Sequence, residues 1–296
     1  MCGILGYYSF GSRLPDKNKI TNMFSLLETR GRDASGFAFI KNSELVVHKA
    51  PIKSSDMIKS DEWKKLTLPK VMILHCRMKT QGDEKNNANN HPIFSKNGIA
   101  IVHNGVIYND KEIMGKKRDG ECDSESILHL LSMKIRGDKI KRLFDRIEGS
   151  FAVAVIDRND PEKLILIKKD NPIDLYLDAE DDILYFCSER DIIKQALKIA
   201  STSSRGFNLG EGNYHSYEMQ NNHCLIINGD GVESYQRYHP IRDRWYDRKF
   251  QYPAYDDELL IDCPWCFCKT SYHEGKLFNK CEVCGMGINE EDLYVI

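Results

Sequence analysis

Two apolar runs that each end in a polar cluster most constrain how this chain can fold. Residues 70–80 read KVMILHCRMKT and residues 97–109 read NGIAIVHNGVIYN. Both are rich in β-forming residues, and each delivers polar side chains to the end of a buried strand, where chemistry is often sited. Further strands are expected at GSFAVAVIDR, KLILIKKD, IDLYLDA and DILYFCSE, with hairpins at SGFAFIKNSELVVHKA, around Asn42-Ser43, and at NHCLIINGDGVESYQRY, around residues 229–231. Helical spacing of Ile20, Met23, Phe24 and Leu27 predicts a helix over residues 16–30 that Gly31 ends. Other helices are expected at DMIKSDEWKKL, DSESILHLLSMKI, KIKRLFDRI and RDIIKQALKIA, the second capped by Asp123 or Ser124. Strands outnumber helices and hairpin turns join several of them, which points to an α+β fold of antiparallel sheet with packed helices. The stretch NNANN at 86–90 reads as a mobile loop.

At 296 residues, with 41% hydrophobic and 29% charged residues, the chain has the make-up of an ordinary globular protein, one large domain with a small appendage. A net charge of −2 gives no polycationic footprint for nucleic acid or anionic lipid. No run is long and apolar enough to span a bilayer, and the opening residues lack the plan of a secretion signal, so a cytoplasmic location is expected. Of ten cysteines, five crowd into residues 263–284. Cys76, Cys122, Cys187 and Cys224 are expected to be inert buried thiols.

Cys2 stands apart, because removal of Met1 leaves a residue that carries both a thiol and a free α-amine. By itself it is better read as a small hydrophobe at the start of an edge strand. Four stretches change that balance: RGRDASG at 30–36, HCRMKTQG at 75–82, HNGVIYN at 103–109 and CDSE at 122–125, with NNHP at 89–92 among them. In this order behind an N-terminal cysteine, the chain resembles the class II glutamine amidotransferases over residues 2–240, matching their RG-x-D-x-x-G, H-x-R-x-x-T-x-G, H-N-G and D-[ST]-E motifs. KKDNPIDLYL and YFCSERDIIKQAL resemble later segments of that family.

The resemblance implies an N-terminal-nucleophile hydrolase, a four-layer αββα sandwich of two antiparallel sheets. It implies Cys2 as nucleophile on the side-chain amide of glutamine, with its own α-amine, of pKa about 7.7 to 8.0, as base. The Asn104 side chain and the Gly105 backbone N–H would form the oxyanion hole. Arg77, helped by Thr80, would hold the α-carboxylate through its planar fork, and Asp123 the α-ammonium. Arg30, Gly31, Asp33 and Gly36 would support the N-terminus and the glutamine loop. His75, His91 and His103 would shape the pocket without serving as base. Met78 and Gln81 depart from an aromatic residue and a histidine common in the family, which bears on the loop closing over glutamine. The small side chain of Cys2 favours removal of Met1 by a methionine aminopeptidase.

Near the C-terminus, Cys263-x2-Cys266 and Cys281-x2-Cys284 supply four thiolates for a structural zinc and resemble a zinc ribbon, with Cys268 and His273 left over. Iron in a rubredoxin-like site is the minor alternative. Seven Lys and Arg against eleven Asp and Glu over residues 241–296 argue for docking on protein and against a nucleic-acid partner. The expected organisation is a glutaminase domain at 2–240, a linker at 241–262 and a zinc-ribbon-like domain at 263–296. No organic cofactor is expected. After residue 240 there is no room for a phosphosugar isomerase, phosphoribosyltransferase or ATP-pyrophosphatase domain, so the expected function is a glutaminase component passing ammonia to a separate synthase or ligase. Two other readings are a non-catalytic adaptor that uses the ribbon as its docking module, and a hydrolase of another γ-glutamyl amide.

Overall fold

The computed structural model describes residues 2–115, 118–133, 138–199 and 214–239, and, nearer the C-terminus, 258–262, 269–273, 279–280, 283 and 287–288. The chain divides into two compact units, Met1–Ile241 and Arg242–Ile296.

The first unit is built on two antiparallel sheets. Strands β1 (Gly3–Ser9), β2 (Ala34–Lys41), β3 (Glu44–Ala50), β4 (Val71–Arg77), β9 (Asp174–Asp178), β10 (Ile183–Cys187) and β11 (Tyr214–Glu218) form the first, in the order β11-β9-β10-β1-β4-β2-β3. Strands β5 (Ile93–Phe94), β6 (Ile99–Ile107), β7 (Gly149–Asp157), β8 (Asp160–Lys169), β12 (His223–Asn228) and β13 (Gly231–Arg237) form the second, in the order β13-β12-β8-β7-β6-β5.

Side-chain alternation shows how the sheets stack, because successive residues of a strand face opposite ways. From β4, Val71 and Ile73 join Ala100 and Val102 of β6, Ala152 and Ala154 of β7, and Ile4 of β1 in one buried cluster between the sheets. The other face of β4, with Met72, Leu74 and Cys76, packs on α1 (Lys17–Leu26), α2 (Ser54–Met57), α3 (Asp61–Lys65) and α7 (Arg190–Leu197), through residues such as Phe24, Met57, Trp63 and Ile193. The other face of β6, with Ile99, Ile101 and Ile107, packs on α5 (Ser124–Ser132) and α6 (Lys139–Arg146), with Ile113 of α4 (Asp110–Met114) against the same cluster. The order is therefore helix, sheet, sheet, helix. Both faces of β4 and β6 are covered, which is why each reads as a continuous apolar run; each fully buried aliphatic side chain stabilises by about 1.5 to 3 kcal/mol. Alanines at 38, 100, 152 and 154 keep the inner faces thin.

Local expectations hold with adjustments. Asn42 and Ser43 form the β2–β3 turn, both at positive φ (51° and 61°), as a two-residue hairpin turn of type I′ requires. The helix expected over 16–30 is α1 followed by a 3-10 turn at Leu27–Arg30, and residues 54–65 hold two short helices in place of one. Asp123 stands at the N-cap position of α5 but makes no capping bond, because its carboxylate is engaged by β6. The stretch at 86–90 is not a mobile loop: it holds a 3-10 turn at Asn87–Asn89, and Asn89 and Asn90 are fully buried.

In the second unit, β14 (Glu258–Asp262) pairs antiparallel with β15 (Lys269–His273), and β16 (Asn279–Lys280) with β17 (Gly287–Ile288). The strand β14 lies inside the stretch read as a linker. Cys263, Cys266, Cys281 and Cys284 fall outside the described residues.

Candidate active site

The register of three strands brings the motifs together. In β1, Gly3 lies opposite Cys76, so Cys2 abuts Arg77 at the end of β4. Cys2 shares the inward parity of Ile4, Arg77 that of Ile73, and Asn104 that of Val102, so all three belong to the faces that the two sheets turn toward each other. A bond crosses the gap just behind them, between His75 Nε2 and the His103 carbonyl oxygen at 2.9 Å. Farther along the same face of β6 the sandwich opens, and Val106 and Tyr108 are exposed. The site is thus the open end of the space between the sheets.

Cys2 is half-buried, and its thiol points at the Met78 carbonyl oxygen, 3.5 Å away. Burial pushes the thiol above its ordinary value, while Arg77 pulls it down and Asp123 pushes it up. A thiol with a raised pKa needs a base to act near neutrality. Its backbone is fixed by Arg30, whose Nε donates to the Cys2 carbonyl oxygen at 3.3 Å and whose Nη1 pairs with Glu189 at 2.9 Å. Two residues on, Ile4 and Ser188 exchange hydrogen bonds at 2.8 and 2.9 Å, tying β1 to the segment that leads into α7.

Arg77 is 2% exposed. Its Nη1 donates to Asn90 Oδ1 at 3.0 Å, and its Nη2 donates to the carbonyl oxygens of Gly82, at 3.0 Å, and Gln81. The residues of the RGRDASG stretch brace this corner. A Cβ on Gly31 would sit 2.3 Å from the Arg77 carbonyl carbon, and one on Gly36 would sit 2.4 Å from the His91 carbonyl oxygen, so neither position admits a side chain. Asp33 accepts from the Lys79 N–H at 2.6 Å and donates its own N–H to the Arg77 carbonyl at 3.0 Å. Thr80 lies exposed on the loop that follows.

At the start of α5, Asp123 is buried and its Oδ2 accepts the Ile107 N–H of β6 at 2.9 Å. Asn104 is 2% exposed, and its Nδ2 has no hydrogen-bond partner among the described residues. A buried unpaired amide donor costs about 1 to 3 kcal/mol, an expense normally retained for a ligand. Gly105 has φ 155°, and a Cβ there would lie 2.0 Å from the Ser150 carbonyl oxygen. Only glycine allows β6 to pass β7 so closely.

His75, His91 and His103 are buried together, with the first two rings stacked at 4.2 Å. Burial drives His75 down to about 3 and His91 well below the ordinary histidine value, and it lowers His103 too. All three rings are kept neutral by burial, His75 on the inner face of β4 and His103 on the helix-facing side of β6, where its Nδ1 lies 2.7 Å from Ser124 Oγ of α5. Cys122, Cys187 and Cys224 are buried free thiols pushed up to about 12 by burial, and Cys76 is raised further.

Several residues of this site were not singled out from the sequence. Asn89 Oδ1 accepts the Glu121 N–H at 2.6 Å, and the Glu125 carboxylate accepts the N–H groups of Asp119 and Gly120 at 3.0 and 2.7 Å, joining the loop before α5 to the loop after β4. Lys49 donates to the Asn90 carbonyl oxygen at 2.7 Å, and burial lowers its pKa to about 8. The available signal was NNHP and the glutamate of CDSE, but partners so far apart in sequence cannot be paired by inspection. Among the described residues, no group of three or more His, Cys, Asp or Glu could hold a metal ion, and no helix is long and apolar enough to cross a membrane.

Comparison with known proteins agrees with this geometry. A family model described as a glutamine amidotransferase domain matches residues 75–195. The glutamine–fructose-6-phosphate aminotransferase (isomerizing) of Aquifex aeolicus is 34% identical over 194 residues, covering 62% of this chain and 32% of the relative. The enzyme of the same name from Pyrococcus horikoshii is 33% identical over 186 residues, covering 58% of this chain and 30% of the relative. The chain therefore spans about a third of the length of these relatives. In fold, it superposes on the glutamine phosphoribosylpyrophosphate amidotransferase of B. subtilis, solved with ADP and GMP, at a TM-score of 0.61 and 19% identity, covering 80% of this chain and 49% of that one. Taken with the sandwich and the motifs gathered at its open end, these matches identify a class II glutamine amidotransferase domain in this chain.

Proposed function

We propose that the domain hydrolyses L-glutamine to glutamate and ammonia on Cys2 and that the ammonia passes to a separate synthase or ligase. The observation that carries this reading is a pair of opposite charges set about one thiol at the open end of the sandwich: Cys2 abuts the buried Arg77 guanidinium through the β1–β4 register, and the buried Asp123 carboxylate is bonded to Ile107 on the strand that carries Asn104. A free amino acid has a carboxylate and an ammonium to match that pair, and a peptide-bonded residue does not.

Once Met1 is removed, the α-amine of Cys2 takes the thiol proton as sulfur attacks the side-chain carbonyl carbon. The tetrahedral oxyanion is met by Asn104 Nδ2, the buried donor without a partner among the described residues, and by the Gly105 N–H. The C–N bond then breaks, the α-ammonium returns a proton to the leaving nitrogen, and ammonia departs from a γ-glutamyl thioester. Water attacks the thioester and releases glutamate. Arg77 and Asp123 hold the α-carboxylate and α-ammonium throughout, with Thr80 at the loop that covers them. Transfer of the ammonia is supported by the names of the relatives, which couple glutamine to amination of an acceptor.

For the second unit we propose a structural zinc on Cys263, Cys266, Cys281 and Cys284. Each Cys-x2-Cys falls in the connection of a two-stranded antiparallel pair, one joining β14 to β15 and the other β16 to β17, as two facing knuckles would require. Elemental analysis of the purified chain should return about one zinc per molecule; iron, or no metal, would overturn the assignment.

Glutamate release from L-glutamine by the full chain, with Met1 removed, tests the catalytic reading. Cys2→Ala should abolish turnover, and Asn104→Ala should lower kcat by about 100- to 1,000-fold. Equal turnover by wild type and Cys2→Ala would overturn it.

A further inference from the structure

We infer that Asn90 is a positioning residue for Arg77, setting the guanidinium's orientation and holding the loop above it, with Lys49 anchoring Asn90 in turn. The inference rests on the reading of Arg77 as the clamp for the glutamine α-carboxylate. Asn90 has no exposed surface, and every polar group it offers is used. Its Oδ1 accepts from Arg77 Nη1 at 3.0 Å. Its Nδ2 donates to the Glu84 carbonyl oxygen at 2.7 Å and to Asn87 Oδ1 at 3.1 Å, and its own carbonyl accepts from Lys49 Nζ at 2.7 Å. Asn87 closes the ring by donating from Nδ2 to the Lys49 carbonyl oxygen at 3.0 Å.

The consequence for Arg77 is geometric. A guanidinium has five N–H donors in one plane, and a single fixed acceptor on Nη1 stops the plane from rotating about the end of its side chain. Nη2 holds the carbonyls of Gln81 and Gly82, the same loop that Asn90 grips at Glu84. Two donors, Nε–H and the second Nη1–H, remain uncommitted by these bonds. Asn90 is neutral, so it orients the guanidinium without cancelling the charge that a substrate carboxylate needs. Asp at this position would keep the acceptor but neutralise Arg77 and lose both Nδ2 bonds.

Covalent labelling of Cys2 in the full, Met1-processed chain separates the possible roles, read by intact mass against time. The probes are 6-diazo-5-oxo-L-norleucine, which carries glutamine's α-carboxylate and α-ammonium, and iodoacetamide, which carries neither. For Asn90→Asp, the half-saturating concentration of the diazo compound should rise about 10-fold or more, while its limiting rate and the iodoacetamide rate stay within about 3-fold of wild type. Lys49→Met, which leaves the Asn90 side chain intact, should move the same constant in the same direction by about 3-fold, and it decides the matter if Asn90→Asp does not fold. An unchanged half-saturating concentration, or an equal loss with both probes as a general loosening would give, overturns the inference. Arg77→Lys distinguishes its failure from that of the parent reading: if it too leaves the constant unchanged, the clamp itself is wrong.

Discussion

Arg30 donates from Nε to the carbonyl oxygen of Cys2 at 3.3 Å, and its Nη1 pairs with Glu189 at 2.9 Å. The backbone of the nucleophile is thereby wired to the residue immediately before α7, just past the end of the neighbouring strand β10. Loss of a charge-assisted bond of this kind costs about 1.5 to 3 kcal/mol, so Arg30→Ala should slow Cys2 acylation by about 10-fold or more. Glu189→Gln, which leaves the guanidinium in place, should cost less. Single-turnover rates with glutamine measure both; equal rates for Arg30→Ala and wild type would contradict the bracing role.

Gly105 offers a sharper steric test. A methyl group there would meet the Ser150 carbonyl oxygen at 2.0 Å, at a backbone φ of 155° that L side chains rarely adopt. Neither β6 nor β7 can retreat, because both are packed between sheet and helices. Gly105→Ala should therefore destabilise the domain by about 2 to 4 kcal/mol, seen as a lower urea midpoint with an unchanged slope.

The histidine cluster sets a pH dependence whose sign is fixed. His75 has a folded pKa of about 3, below the ordinary 6.5, and His91 is lowered in the same direction, both by burial. The unfolded chain binds these protons first, so the stability from keeping the rings neutral is complete above pH about 6.5 and is lost as pH falls toward the folded values. Each ring contributes a slope of up to about 1.4 kcal/mol per pH unit in that window. His91→Gln should flatten the acid limb of a stability-against-pH curve. By NMR, the His75 and His91 ring protons should not titrate between pH 8 and 5, and a midpoint near 6.5 would contradict the neutral cluster.

Much of this fold was legible because burial leaves a mark on composition. The strands β4 and β6 are apolar on both faces since each lies between a sheet and a helical layer, and Asn42-Ser43 marks a hairpin because those residue types tolerate positive φ. The roles of Cys2, Arg77, Asn104 and Asp123 were suggested by motif order, and the β1–β4 register gives two of them a physical reason to meet. What stayed hidden depended on partners distant in sequence. Residues 86–90 look solvated until Lys49, Arg77 and Glu121 are seen to bond them. Asp123 looks like a helix cap until its carboxylate is found on the Ile107 N–H, sixteen residues back.

The central claim is that Cys2, freed of Met1, is the nucleophile of a glutamine site, and intact mass spectrometry after treatment with 6-diazo-5-oxo-L-norleucine tests it most directly. The account predicts a chain lacking Met1 that gains one adduct, is protected by L-glutamine and not by L-glutamate amides blocked at the α-amine, and carries the adduct on the N-terminal peptide. A chain that retains Met1, or a Cys2→Ser variant that gains the same adduct at the same rate, would contradict it.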